Sequence, residues 1–474
     1  MAGEVLGTSL AEIASESAQQ PFDAVIVGGG SAGLTAAMTL GEGGLRVAVL
    51  EAGRAPFLTH ISNVELRFSR DATRAARGAV AYRPADLAGG GSFRDSFSCL
   101  GGRGLFWNGS APRFQPHDFD GWPIGLGDLE EHYVWAERAY RVTEDAGRTD
   151  LADRLASKLR SAGFQAQPGP FAVDMGAIGD GHLSAGIASV LAPFLRSARD
   201  RLLSPALRLG LGCQATGVLF GTGRNARGVR ADQDGSSHEV LASNVLLAAG
   251  GIESIRLASL SEVPDPYGRI GVGLQDHIFY RCYFEGPHIY SPERRETAVL
   301  HVPSASQETE QWELQAPGRL LWTMDDEFEW QPAPGPEYEV MVRAFAATEK
   351  RDANRVEVHS GGLGSATVHF EYSAADDRMR ERVQSEALKF GGAMGMTLSD
   401  ERLTGPGNSY HDAGGLDMGS DVDSSVTDPI GRFHHAANLW CVDSAAFPRI
   451  GATNPHLTIV AESRRKSLAL LQSR

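Results

Sequence analysis

The chain reads as an α/β protein, α+β overall: a Rossmann-like nucleotide-binding region joined to a second, mainly antiparallel sheet. Three observations predict this. Residues 22–53 spell strand, glycine turn, helix and strand; buried-strand and helix signals of the same kind return near the middle and at the end; and the runs between them alternate apolar with polar residues.

Ala24 to Val27 are four consecutive apolar residues, as a strand buried on both faces requires. Gly28, Gly30 and Gly33 then supply a GxGxxG turn, and the following residues from Leu34 open a helix. The first glycine makes the turn, the second lets backbone approach a pyrophosphate, and the third lets helix pack on strand. A second buried run, Leu45 to Gly53, contains Glu51 at its end. A carboxylate there can accept hydrogen bonds from both hydroxyls of an adenosine ribose, which favours a non-phosphorylated dinucleotide such as FAD or NAD.

Leu207 to Phe220 reads as further strands, and Asn244 to Leu260 as a buried strand, a glycine pair and a helix. Asn438 to Asp443 is another short strand, and the closing helix begins near Pro455, which suits a first helical turn. The nucleotide domain is therefore expected to be discontinuous, over 21–164, 206–279 and 401–474, behind a tail at 1–20. The alternating runs Ile278–Gly286, Arg319–Trp330, Tyr338–Ala347, Asn354–Ser360 and Ala366–Tyr372 suggest a sheet with one ligand-facing side. With the helical run Ala374–Gly395 they define a second domain at 165–205 and 280–400.

At 474 residues the chain exceeds the usual limit of one core. Its formal charge is −15 and it has no basic tract, which argues against nucleic acid and anionic membranes as partners. No run approaches the length of a membrane span, and the first twenty residues do not read as a secretory leader. Cys99, Cys213, Cys282 and Cys441 lack metal-ligand or disulfide spacing, so no metal site is expected. A cytoplasmic protein with reduced thiols is the expectation.

Four segments resemble the glucose-methanol-choline (GMC) oxidoreductases, with motifs closest to the pyranose oxidase and polyol dehydrogenase branches. They are Gly28–Gly33 with Glu51, Cys99–Ile124, Val245–Ser261 with Gly271–His277, and the terminal HDAGG, NLWCVD and NPHLTI. The resemblance implies FAD. It places Ala249 and Gly250 near the adenosine end, and Gly101, Gly102, Trp107 and Asn108 along the isoalloxazine. Asp443 would lie near the ribityl and pyrophosphate, with Pro455 and Thr458 at the pyrimidine edge. Ser31, Ala32, Ala52, Arg103, Gly109 and Ala215 join the implied cofactor contacts. Pyranose oxidases bond FAD through a histidine where this chain has Phe106, which has no nucleophilic atom, so the flavin should be held non-covalently.

The implied catalytic pair is His411, heading HDAGG, and Asn454 of NPHLTI. A neutral imidazole can take the hydroxyl proton of an alcohol while flavin N5 takes the hydride, so the rate is expected to climb with pH near the ordinary imidazole pKa. Asn454 can hold the substrate oxygen at reaction distance. His456, two residues further on, is expected to point elsewhere. Where the family usually has Thr and Arg in HxxGTxRMG, this chain has Gly415 and Asp417, which weakens transfer from the polyol branch, so substrate identity is not carried over. The resulting expectation is oxidation of a CH–OH group of a sugar, glycoside, polyol or related natural product, with oxygen or another electron acceptor. A sterol-type alcohol and a non-redox lyase on the same FAD scaffold are the alternatives.

Overall fold

The computed structural model describes residues 7–61, 81–144, 150–173, 187–200, 205–286, 299–305, 311–316, 323–324, 330–331, 340–360 and 364–473. In chain order, the first elements that build the cleft are β1 (Ala24–Val27), α1 (Ser31–Glu42), β2 (Val47–Glu51), β3 (Arg208–Leu211), β4 (Val245–Leu247) and α2 (Gly251–Leu260). They are followed by β5 (His277–Glu285), β6 (Leu300–Pro303), β7 (Trp312–Ala316), β8 (Val340–Ala347), α3 (Ala374–Met394), β9 (Thr397–Leu403), β10 (Leu439–Cys441) and α4 (His456–Gln472).

The uniformly apolar strands form one parallel sheet in the order β10–β4–β1–β2–β3. Strands buried on both faces need cover on both. Ala24 and Ile26 pack in the core that includes Leu34 and Met38 of α1 and Leu457 and Val460 of α4. Val25 and Val27 pack on the other side with Ile252 and Ile255 of α2. Residues from both ends of the sequence thus meet in one layer.

The second sheet is antiparallel, in the order β9–β5–β8–β7–β6, with a short edge strand at Gln167–Pro168. Period-two alternation sorts its side chains. Ile278, Tyr280, Phe284, Val342 and Leu314 join Val383 and Phe390 of α3 in an apolar core. The residues between them, among them His277, Arg281, Arg343, Phe345 and Gln315, fall on the opposite face, toward the nucleotide region.

Two sequence runs behave differently from the rest. Arg355–Val358 and Ala366–His369 pair with each other, and the latter pairs with the hairpin Ala81–Leu87/Ser92–Ser98. Their apolar residues Val356 and Val368 pack in the core that contains Val25 and Val27, so this stretch of 280–400 lies with the nucleotide region. The run Arg319–Trp330 lies largely outside the described residues; Thr323–Met324 pairs there with Trp330–Gln331.

Candidate active site

The carboxyl ends of β1, β2 and β4 open into a cleft closed on its far side by the polar face of the second sheet. This is where open α/β sheets bind ligands. Its empty space, mouth included, is about 1960 Å³.

The three fingerprint glycines have separate reasons to be glycine. Gly28 has φ +105°, and a Cβ on it would lie 2.4 Å from the Ala248 carbonyl oxygen. A Cβ on Gly33 would lie 1.9 Å from the Gly28 oxygen, so Gly33 is needed for packing and sits behind the cleft. A Cβ on Gly30 would meet nothing within 4 Å, because it would project into the cleft. Gly30 also precedes α1, whose first turn has no side-chain cap. An open cradle at an uncapped helix start fits a pyrophosphate.

Glu51 lies beside that turn, 5% exposed, its Oε2 accepting from Gly29 N and its Oε1 from Gly53 N, both at 2.7 Å. Burial nevertheless raises its carboxyl to about 7. Ala52, Ala215, Ala249 and Gly250 line the same end. Asp443, also on the cleft wall, accepts from Gly250 N at 2.9 Å and Ser254 Oγ at 2.6 Å, tying the end of β10 to the start of α2.

Toward the second sheet, Gly101 (φ +94°) and Gly102 (φ +53°) turn the chain into a short 3-10 helix, Gly102–Leu105. Arg103 reaches from it to the Tyr410 carbonyl and to Asp412, both at 2.6 Å, and so fixes the loop that carries His411. Trp107 and Asn108 line the cleft. Trp107 stacks on His456 with ring centroids 3.9 Å apart, and its Nε1–H donates to the Ala188 carbonyl at 2.8 Å. His456 therefore does face the cleft, contrary to expectation, with burial holding it down to about 3. Phe106 lines the cleft too, stacked on Phe97. Pro455 lies on the wall, whereas Gly101, Gly109 and Thr458 lie off it. Thr458 is fully buried and hydrogen-bonded to Tyr133 through its hydroxyl at 2.7 Å; a Cβ on Gly109 would press on Phe171.

His411 and Asn454 meet in the cleft, with His411 Nε2 3.4 Å from Asn454 Nδ2. Their surroundings fix which atoms carry protons. Burial brings His277 down to about 4, so it is neutral, and its Nε2 lies 2.6 Å from the Gly451 carbonyl, which can only accept. The single ring proton of His277 is therefore on Nε2, and its Nδ1 is a lone pair. His411 Nδ1, 2.8 Å from that lone pair, must be the donor. The proton-free atom of His411 is then Nε2, beside Asn454. Burial, followed by the nearby His277, Arg103 and Arg343, holds His411 well below the ordinary imidazole range. The expected climb in rate near that range is thus displaced to more acid pH.

Asn454 is oriented in the same way. Its Oδ1 accepts from Gln315 Nε2, which leaves Nδ2 for His411 and for a ligand. Gln315 also donates to Glu313, whose Oε2 lies 2.7 Å from His301 Nε2. Asp276 anchors the His411 loop by accepting from Gly407 N at 2.6 Å and from Ser409 Oγ. At the departure from the family pattern, Gly415 takes φ +88° and Asp417 forms an ion pair with Lys350 at 2.5 Å.

The sequence reading missed His277, Gln315 and Arg343. His277 stood inside the quoted GVGLQDH, and the other two on alternating runs whose cleft-facing parity was visible. Which parity faced a ligand depended on strand pairing. Among the described residues no three His, Cys, Asp or Glu gather as a metal site, and no helix is long and apolar enough to cross a membrane.

Residues 341–462 match the GMC oxidoreductase family, and residues 23–64 match an FAD binding domain. The 6'''-hydroxyparomomycin C oxidase of Streptomyces lividus is 26% identical, over 96% of this chain and 92% of its own. The paromamine 6'-oxidase of Streptomyces fradiae is 25% identical, over 95% and 91%. A pyranose 2-oxidase of Tricholoma matsutake is 25% identical over 30% of this chain and 28% of its own. Among solved structures, pyridoxine 4-oxidase from Mesorbium loti superposes with a TM-score of 0.68 at 20% identity, covering 94% of this chain and 98% of the other, a likeness of fold. The FAD match covers the glycine turn and Glu51, the GMC match covers His411 and Asn454, and the two converge on one cleft, so the chain is similar to the GMC oxidoreductases at both ends of that site.

Proposed function

We propose that the protein oxidises a CH–OH group of a sugar, glycoside, polyol or related hydroxylated natural product, with His411 as base and Asn454 as the positioning donor. The observation that carries this reading is the proton-free Nε2 of His411 in the cleft beside Asn454 Nδ2. Bound FAD supplies the hydride acceptor. His411 Nε2 takes the hydroxyl proton, and Asn454 Nδ2 donates to the substrate oxygen and holds it in place. Gly28, Gly30, Ser31 and Ala32 would receive the pyrophosphate and Glu51 the ribose. Ala52, Ala215, Ala249, Gly250 and Asp443 would line the adenosine and ribityl path, with Gly102, Arg103, Trp107, Asn108 and Pro455 around the ring system. The oxidase names of the Streptomyces and Tricholoma relatives support a sugar-like alcohol as donor and oxygen as acceptor. The four free, buried cysteines suit a reducing cytoplasm.

The deciding experiment is anaerobic mixing of the purified yellow protein with sugars, glycosides and alcohols. Bleaching of the visible flavin band by one of them is expected; a substrate that is converted with no bleaching would point to lyase chemistry instead. Acid or heat precipitation should leave FAD in the supernatant, since Phe106 offers no atom for a covalent link. Colour retained in the washed pellet would overturn that expectation.

Glu51→Gln should weaken FAD retention by about 1–3 kcal/mol, the scale of a charge-assisted hydrogen bond. Because the carboxyl is raised to about 7, its fully accepting form is lost as pH falls through neutrality. Wild-type FAD affinity should therefore decline from pH 8 to pH 6, and the Gln variant should show no such decline in equilibrium titrations of the apoprotein.

A further inference from the structure

Two arginines stand side by side on the cleft face of the second sheet. Arg281 of β5 and Arg343 of β8 are direct cross-strand partners, only 3% and 7% exposed, and both line the cleft. Like charges in opposed positions destabilise a sheet, and burying a guanidinium adds a desolvation cost. Burial and the adjoining Arg281 charge bring Arg343 down to about 10. Arg281 has contacts of its own, one of them with the Phe279 ring at 5.6 Å. The Arg343 guanidinium makes no hydrogen bond or ion pair with any described residue.

Among the described residues, the carboxylates near this face are engaged elsewhere. Asp412 pairs with Arg103, Glu253 with Arg256, and Glu313 with Gln315 and His301. Among the described residues, none of these carboxylates is paired with the Arg343 guanidinium. Arg343 adjoins the reacting groups. Gln315, which orients Asn454, is the cross-strand partner of Arg343 on β7, and Phe345, two residues beyond Arg343 on the same face, lies 5.5 Å from His411.

We infer that Arg343, with Arg281 beside it, is an anion subsite for the substrate, so that the alcohol oxidised carries a carboxylate, phosphate or sulfate group near its reacting carbon. A planar fork of donors suits such groups, and their charge would offset the repulsion between the arginines. The inference rests on the cleft being the site of alcohol oxidation. It also separates this chain from its paromamine-oxidising relative, because an aminoglycoside is a polycation that this pair would repel.

The test compares anaerobic flavin reduction by D-glucuronate, D-glucose 6-phosphate, D-glucose and paromamine. At least one anionic sugar should show a KM about 10- to 100-fold below that of glucose, with paromamine the poorest, and the preferred anion identifies carboxylate or phosphate. Arg343→Gln should abolish that advantage, weakening kcat/KM for the anionic sugar at least about 10-fold more than for glucose, while Arg343→Lys should restore part of it. Calorimetric titration with cyclohexanecarboxylate and phenyl phosphate, which carry the charge and no alcohol, should show one of them binding the wild type and neither binding Arg343→Gln. Preference for glucose or paromamine, with neither probe bound, overturns the subsite and leaves alcohol oxidation standing. Failure of every alcohol to bleach the flavin overturns the underlying reading, and the calorimetry then decides the subsite by itself. A shift of the flavin potential in Arg343→Gln with probe binding unchanged would assign the arginines to the cofactor and also overturn it.

Discussion

His411→Ala is expected to retain FAD and its visible spectrum yet slow substrate-driven flavin reduction by about 10²–10⁴, the usual contribution of a positioned base. The size follows from the uniqueness of the lone pair. Gly451 claims the His277 proton, His277 claims the His411 proton, and only Nε2 of His411 is left to act on a ligand. The pH profile carries a second signature. His411 is held well below the ordinary imidazole range, so the active, neutral form persists as pH falls through 6.5 and is lost only under more acid conditions. Stopped-flow reduction rates should be level from pH 6 to 8 in the wild type. A wild-type limb near 6.5, or an Ala variant that keeps the wild-type rate, would remove His411 from the role and make His456, the other cleft histidine, the next to exchange.

Gly30→Ala and Gly33→Ala should both abolish FAD binding, for opposite reasons. At Gly30 the added methyl meets no protein atom and φ is an ordinary −80°, so the apoprotein should unfold at the wild-type temperature while its cradle is filled. At Gly33 the methyl would sit 1.9 Å from a backbone oxygen, forcing α1 off the sheet. A cost of several kcal/mol is expected, at or beyond the ~1–3 kcal/mol typical of overpacking. Thermal denaturation of the two apoproteins separates the cases. Equal loss of stability in both would mean that Gly30 is a packing residue as well.

The sequence made the nucleotide half legible because its signals are local. Four apolar residues, three spaced glycines and a terminal acid fix a strand, a turn and a ligand contact within thirty residues. The second sheet was legible as alternation only, and its cleft face was not. Arg281 and Arg343 are 62 positions apart and become neighbours solely through antiparallel register. The same holds for Gln315 and Asn454. Val356 and Val368 look like the other alternating runs, yet they pair with each other, and Val368 with Leu87, in a separate sheet that packs in the opposite core. His456 was misjudged because its side chain turns back from the first residue of α4 to stack on Trp107, a contact between segments that no periodicity encodes.

The parallel sheet takes β1 and β2 from the start of the chain and β10 from near its end, and α4 packs with α1. During synthesis, the glycine turn therefore emerges long before Asp443, just past β10, and the helix that complete its surroundings. Loading of FAD should be a late event, possible only once Asn454 and α4 have left the ribosome. Release of a chain stopped ahead of α4 should give a product that exposes the apolar side of α1 and acquires no colour, however intact its fingerprint.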